Sequence, residues 1–546
     1  MNLRRGLAAG WIALAQTMAA QEPEITFKTR VDLVSVPVVV RDSKGVPVGN
    51  LEKADFQLFD RGKLQVISRF TVERSAAKTL VLSEKHDSTG TPGAAPALPE
   101  RFVAYLFDDV HLQFGELVYL RDAAARHLNG LARSDRVAIY TTSGQTMLDF
   151  TDDRDAWHSA LKRLMPRPVT MRSSSDCPDL SYSQANQIAN RSDSYALAAA
   201  TAEVMICAQM DARMRSMAES VARSAAFRVV AENERAVRVS LSVLRDVIRR
   251  MGTTPGQRLI VLASPGFLAP ESQREKAEII DRAIRAGVMI NAIDGRGLWT
   301  DPTLDASKPG FAQEVQQVKS RYDRDTASQQ ADVLAEFAAG TGGTFFHNSN
   351  DLDDGFERVA AAPGYSYILG FSPQDLKMDG SYHALKVSLI HKKGLSALAR
   401  KGYYSPKTFT SPEEAAKEEI RDAIFSRQER SDLPVTLGNG FARNGNRTTL
   451  QALMDLKPLR YRKANGTNQN TVTITLGIFD RNGNLIRDQQ KILQLSVKDE
   501  TLARPESRYV VNMEFELEPG YYLVRLVARD SEGEQMSARN GNMQIR

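Results

Sequence analysis

Apolar and polar positions fall into three regimes along this chain. In the middle, RFVAYLF at 101–107 carries an unbroken apolar run and empties into Asp108 and Asp109. A run this short with no polar face predicts a strand covered by helices on both sides, although a buried helix has the same periodicity. Apolar periods then alternate: a helix over 116–132, a strand over 136–142 and a helix over 153–164 capped by Thr151 and Asp152. A strand over 258–263, a helix over 271–286, a strand over 288–293, a helix over 332–339 and a strand over 343–346 follow. Strands alternating with helices imply parallel pairing through right-handed crossovers, so the fold class is α/β with a doubly wound, mostly parallel, Rossmann-like sheet. Such sheets bind at the carboxyl ends of their strands. Asp108, Asp109, His111, Ser143, Ser264 and Asp294 all fall there and form the expected binding edge.

The flanks follow a different rule. Valine-rich runs broken by glycine turns at Gly45 and Gly62 predict a small β module over 21–76. A stretch rich in Ser, Thr, Gly, Pro and Ala over 77–99 predicts a linker. The central domain is expected over 100–408, closing with strands over 365–371 and 383–390, and a charged helical connector over 409–433. From Pro434 onward, period-two strands with glycine turns predict a β-sandwich over 434–546, an all-β binding or spacer module. One piece breaks the central alternation, an Ala-rich helical insertion over 166–230 containing both cysteines of the chain, Cys177 and Cys207.

Charge and composition narrow the partners. The 71 basic and 66 acidic side chains nearly cancel, leaving +5, and no Lys/Arg block is interleaved with aromatics, so nucleic acid is not an expected partner. Positions 1–20 place Arg4 and Arg5 before an apolar stretch that ends in small residues, the pattern of a secretory signal; the alternative is a short buried helix. No later segment has the 18 or more apolar residues of a membrane span, so no transmembrane span is expected in the mature chain. Export would make the protein periplasmic, cell-surface or secreted and Cys177–Cys207 a disulfide stapling a helical cap near the active edge. An unpaired surface excursion is the alternative.

The succession of a strand ending in Asp108, then RDAA and a helix, DRVAIYTT, LDFTDD, QRLIVLASPGF and AGVMINAID resembles a von Willebrand factor A (VWFA) domain. More closely, it resembles the VWFA-related branch found in predicted exported proteins of acidobacteria, with DFQLFDRGK, CPDLSYSQA, YSYILGFSP and KVSL as further points of likeness. The flanking β modules are similar to immunoglobulin-like ones. The resemblance spans Thr26 to about Pro406 and implies adhesion, scaffolding or assembly rather than one reaction. It also implies Mg2+ or another divalent cation held through D-x-S-x-S, a loop threonine and a T-D-G turn. The match is partial. Counted from Asp108, the serine positions hold Val110 and Leu112; counted from Asp109, they hold His111 and Gln113. The T-D-G turn reads Ser264, Pro265, Gly266, and the loop threonine falls near Thr170. Asp108 and Asp109 remain the candidate metal ligands; the alternative is that both cap the following helix or bind backbone amides.

No catalytic motif is present: neither H-E-x-x-H, nor a P-loop, nor C-x-x-C. Ser264 lacks the glycine two residues earlier that a nucleophile elbow needs. Asp351, Asp353 and Asp354 fail EF-hand spacing and suit a helix amino terminus. The sequence therefore points to an exported, non-enzymatic protein–protein interaction or adhesion scaffold with a degenerate metal-ion-dependent adhesion site. A divalent-metal-dependent hydrolase at the same acidic edge and a purely structural envelope protein are the alternatives.

Overall fold

The computed structural model describes residues 34–42, 48–74, 80–84, 101–168, 177–268, 272–301, 313–360, 365–373, 381–390, 392–405, 412–425, 429–438, 440–504, 507–533 and 535–545. The signal read at 1–20, the loop threonine Thr170 and most of the 77–99 linker lie outside them.

The chain begins with β1 (Val34–Arg41), β2 (Phe56–Asp60), β3 (Lys63–Gln65) and β4 (Ile67–Arg74). β2 and β3 are joined by Arg61 and Gly62, both at positive φ, 48° and 78°. Such a two-residue turn follows the right-handed twist of the strands it connects. Within the stretch expected to be a linker, Leu80–Glu84 forms a strand, β5.

The central unit runs β6 (Arg101–Phe107), α1 (Phe114–Asn129), β7 (Asp135–Thr141), β8 (Met147–Thr151), α2 (Arg154–Lys162), α3 (Tyr182–Arg191), α4 (Ser194–Cys207), α5 (Arg215–Met251), β9 (Gln257–Ser264), α6 (Gln273–Arg285), β10 (Val288–Asp294), α7 (Gln313–Thr341), β11 (Phe345–Phe346) and α8 (Leu352–Ala360). Its six strands lie in the order β11-β10-β9-β6-β7-β8. All pair in parallel except β8, which is antiparallel to β7. Every residue of β6 is buried. Val103, Tyr105 and Phe107 face α1, α2 and α8, while Phe102, Ala104 and Leu106 face α5, α6 and α7. This two-sided burial is why the run shows no alternation; each large apolar side chain so covered contributes about 1.5–3 kcal/mol. α2 is capped by Asp153, whose carboxylate accepts from the amides of Asp155 and Ala156, rather than by Thr151 and Asp152 as the pattern suggested.

The insertion is less separate than its sequence implies. α5 is 37 residues long; its first half packs with α3 and α4, and its second half packs on the sheet. α7 starts well before the expected 332 because Val318 and Tyr322 on its polar first half pack against this cap. Cys177 and Cys207 are disulfide-bonded, as expected from the sequence.

The strands expected to close the central domain pair elsewhere. β12 (Tyr365–Phe371) lies between β1 and β4, and β13 (Tyr382–Leu389) lies against β2. β14 (Ser396–Ala399) extends the first sheet along β1, and β15 (Gly402–Tyr404) extends the second along β13. Val36, Val38, Phe56, Leu58, Tyr367, Leu369 and Phe371 share one core. The amino-terminal strands could not bury both faces alone, and the returning strands supply the missing partners.

α9 (Pro412–Phe425) leads to β16 (Arg430–Ser431), β17 (Val435–Leu437), β18 (Gly440–Asn444), β19 (Arg447–Asp455), β20 (Arg462–Ala464), β21 (Thr467–Phe479), β22 (Leu485–Val497), α10 (Asp499–Ala503), β23 (Arg508–Glu516), β24 (Gly520–Asp530) and β25 (Met536–Ile545). The strands form a β module with its main apolar core between them and a second cluster beneath α9. β5 inserts between β18 and β25, parallel to both. At the other end the β21–β22 turn meets the amino edge of the central sheet. Arg481 reaches Asp152 at 2.6 Å, Arg136 Nε donates to the Arg481 carbonyl at 2.7 Å, and Gly483 rests on the Phe102 ring.

Candidate functional site

The sheet delivers three strand ends to one point. β6 ends in Asp108 and Asp109, β7 in Thr142 and Ser143, and β9 in Ser264. The backbone fixes them first: the Asp108 amide donates to Ala263 and the Thr142 amide to Phe107, both at 2.9 Å. The side chains then close into a network. Asp108 is fully buried, and its Oδ1 accepts from Thr142 Oγ1 at 2.7 Å and from the His111 amide at 3.2 Å. Its Oδ2 accepts from Ser264 Oγ at 2.6 Å. His111 Nδ1 sits 2.9 and 3.0 Å from the two oxygens, so the network assigns the ring proton to Nδ1. The ring stacks on Phe267 with centroids 5.7 Å apart, and the buried Nε2 has no partner among the described residues. Asp109 accepts from the Ser143 amide at 2.8 Å and from Ser143 Oγ at 2.5 Å.

Two neighbouring carboxylates thereby acquire opposite tendencies. Burial pushes Asp108 up, but the His111 charge and hydrogen bonds from His111, Ser264 and Thr142 outweigh it and hold the group below the usual carboxylate range. Burial also pushes Asp109 up; the Ser143 bonds oppose this only in part, and the charge of Asp108 adds to it.

Asp294 lies at the same edge but does not join the cluster. Its carboxylate is held by Arg296 Nη2 at 2.7 Å and Nε at 2.9 Å, and Arg296 in turn donates to Gln330 on α7. Thr142 and Arg296 are the two participants that sequence reasoning missed. Thr142 ends the RVAIYTT strand, where a polar residue after an apolar run was the available signal; Arg296 shows none.

The residues do not fit a divalent cation of the kind the sequence resemblance implies. Asp108 spends both oxygens on protein donors, and Val110 and Leu112, at 6% and 3% exposure, offer no oxygen where the pattern wants serine. Arg296 neutralises Asp294, the one further carboxylate at the edge that the sequence suggested. Among the described residues no group of three or more His, Cys, Asp and Glu side chains is arranged to hold a metal. The Asp351, Asp353 and Asp354 run begins α8: Asp351 accepts from the Asp354 amide at 3.1 Å, and Asp353 pairs with Arg126 at 2.9 Å.

Around this closed polar centre the edge is apolar and open. Phe114, Met165 and Leu298 are 60%, 48% and 51% exposed. They follow three separate elements: Phe114 starts α1, Met165 follows α2, and Leu298 lies just past β10. The Arg167 amide donates to the Asp109 carbonyl at 2.6 Å, which holds the Met165 segment against the edge. The cap borders the same edge: Leu268 packs in its core, and Asn233 on α5 donates to the Leu268 carbonyl at 2.8 Å.

No protein-family model matches the sequence, and no curated protein matches it. Among solved structures, a beta-glucuronidase from glycoside hydrolase family 2 aligns at 10% identity and TM-score 0.15 over 21% of this chain and 11% of its own. The Bacteroides uniformis beta-glucuronidase aligns at 14% identity and TM-score 0.14 over 33% and 19%. The fibronectin(III)-like modules of Clostridium thermocellum CbhA align at 9% identity and TM-score 0.11 over 33% and 68%. This chain thus spans less than a fifth of either beta-glucuronidase, and likenesses this weak carry no functional argument. What stands is a mixed α/β chain with a mostly parallel six-stranded sheet, mostly antiparallel β modules and one disulfide. Among the described residues no helix is long and apolar enough to cross a membrane.

Proposed function

We propose that this chain is an exported, non-enzymatic interaction or adhesion scaffold, built on a von Willebrand factor A-like domain whose metal site has degenerated. The observation that carries the reading is the edge itself, where the carboxylates are engaged within the chain and Phe114, Met165 and Leu298 are exposed on the segments that leave the strand ends. Asp108 and Asp109 are engaged by side chains of their own chain rather than held open for a metal ion. A ring of exposed apolar residues on separate loops suits a protein contact. The strand order 3-2-1-4-5-6 with an antiparallel strand at one end supports the domain assignment, and the disulfide supports an oxidising compartment.

The test is capture of partners from the envelope and medium fractions of the source cells by immobilised full-length chain, with and without chelator. Wild type is expected to retain a defined protein in both conditions. Leu298→Asp with Phe114→Ser should lose it, while Ile492→Lys on the distant β module should not. Capture indifferent to the edge pair, or turnover of ester, phosphate or glycoside substrates abolished by Asp108→Asn, would sink the proposal.

A further inference from the structure

Leu298 sits on a strap, 295–301 (GRGLWTD), that leaves β10 and runs back along the first half of α7. α7 fastens it at both ends. Arg296 Nη1 donates to the Ala327 carbonyl at 3.2 Å and to Gln330 Oε1 at 3.1 Å. At the other end Asp301 accepts from Ser320 Oγ and lies 4.0 Å from the Arg324 guanidinium. Ser320, Arg324 and Ala327 follow spacings of four and three and so share one helical face. Between the two ends the Leu298 amide donates to Asn350 Oδ1 at 2.8 Å, and the Leu298 side chain is exposed.

A second face of the same stretch of α7 belongs to the cap. Tyr322 is buried in the apolar cluster of α3, α4 and α5, and Val318 packs against it; the cluster that covers the central sheet takes up α7 only from Val333 onward. Polar bonds complete the docking. Lys319 Nζ donates to both oxygens of Glu203 on α4 at 2.7 and 2.8 Å, Tyr322 Oη donates to Asp193 Oδ2 at 3.2 Å, and Thr326 Oγ1 accepts from the Ser183 amide of α3 at 3.2 Å. Lys319, Tyr322 and Thr326 again follow spacings of three and four. A polar helical stretch of this length is marginal by itself and is held by tertiary packing, which here is the cap's. The strap is therefore tied to a helix half that is itself tied to the cap.

We infer that the cap controls the contact edge: docking of α3 and α4 holds the first half of α7, α7 holds the strap, and the strap presents Leu298, with Arg296 as its positioning residue. The functional meaning of this coupling rests on the carboxyl edge being the contact face; the coupling itself does not. Loosening the cap withdraws the order of the strap, and a partner seated on the strapped Leu298 tightens the cap by the same factor, because coupling between two sites is reciprocal.

Hydrogen exchange of the full chain, followed by mass spectrometry without any partner, is the test. Lys319→Met takes the cation out of a buried pair and should speed exchange in α3 and α4 and also in 295–301, by at least about fivefold in each, the factor that one net hydrogen bond supplies. Tyr322→Phe with Thr326→Val keeps side-chain size and should speed the same two regions, which covers the case in which Lys319→Met does not fold. Arg296→Met should speed 295–301 and leave α3 and α4 far less affected, and adding Lys319→Met to it should change 295–301 much less than Lys319→Met does alone. Exchange in β22 should stay at the wild-type rate throughout. Faster exchange in α3 and α4 with 295–301 unchanged, or an equal effect of Lys319→Met on 295–301 with and without Arg296→Met, would overturn the coupling. An edge that binds no protein would overturn the contact reading and not these rates, so the two fail separately.

Discussion

Asp108→Ala tests whether the polar centre of the edge is structural. Four donors converge on this fully buried carboxylate: Thr142 Oγ1 at 2.7 Å, Ser264 Oγ at 2.6 Å, and the amide and ring of His111 at 3.2 and 2.9 Å. Hydrogen bonds to a charged acceptor contribute about 1.5–3 kcal/mol each, but they do not add here. The two hydroxyls can rotate to other acceptors, whereas the His111 ring loses its one hydrogen-bond partner among the described residues. The cost should therefore be that of breaking a buried pair, about 3–5 kcal/mol. In a domain of this size that lowers the melting midpoint by roughly 10 °C, readable by calorimetry on the full chain. The pH dependence gives an independent sign. Because Asp108 titrates below its unfolded value, its contribution is fully present above about pH 4 and is lost as pH falls through the folded-state pKa. Asp108→Asn should lack that acid-labile component. A midpoint loss under about 1 kcal/mol would refute the reasoning. So would a stabilisation of about 2.7 kcal/mol by saturating Mg2+ that vanishes in the variant, since the carboxylate would then be a cation ligand.

Three further outcomes follow from the same structure. Replacing Cys177 and Cys207 with serine opens a link across a sequence separation of 30 residues and should destabilise the cap by about 3–4 kcal/mol, seen as earlier proteolysis within α3 and α4. Gly266 sits at φ 82° with its missing Cβ aimed at the Gln330 carbonyl, so Gly266→Ala should displace α7 and cost more than the usual 0.5–1 kcal/mol, roughly 2–4 kcal/mol in urea unfolding. Asp323, beside the buried Glu203–Lys319 pair, is pushed up by burial to about 6, and Glu203 is raised by the same cause. The folded state thus takes up protons before the unfolded state does, and cap docking should tighten as pH falls from 7 through 6. Slower hydrogen exchange in α4 at pH 5.5, flattened in Asp323→Asn, is the expected result; faster exchange would contradict it.

The central sheet was legible because two-sided burial leaves an unbroken apolar run, as at Phe102 to Phe107, and because strands recur between helices. Two features escaped for the same physical reason: pairing between distant segments leaves no local pattern. Tyr365–Phe371 looks identical whether it extends the central sheet or returns to β1 and β4. Leu80–Glu84 has too few residues to stand out from a linker rich in small and polar residues, yet it completes a module by pairing with β18, more than 350 positions later. At the edge, Asp108, Asp109, Ser143 and Ser264 could be placed from strand ends alone. The roles of Thr142 and Arg296 could not, because what they bind is set by side-chain reach across strands. Asp294 was positioned correctly and assigned to the wrong company, since the arginine two residues later takes its charge.

The placement of the flanking module leaves the carboxyl edge of the sheet as the one free for the contact proposed above. The amino edge is occupied from within. The β21–β22 turn presses Gly483 onto Phe102 and Pro255, Arg136 is buried against the Arg481 carbonyl, and Arg258 donates to the Phe425 carbonyl. The Arg136 and Arg258 guanidinium groups each commit one donor to a backbone oxygen beyond the central unit, so opening that junction costs both hydrogen bonds. At the carboxyl edge the chain spends its polar groups on each other and leaves Phe114, Met165 and Leu298 facing outward. A partner arriving there meets apolar surface whose burial is favourable and a polar centre whose carboxylates are already hydrogen-bonded. Affinity at such a surface should be insensitive to chelators, because the carboxylates of Asp108, Asp109 and Asp294 are already engaged within the chain.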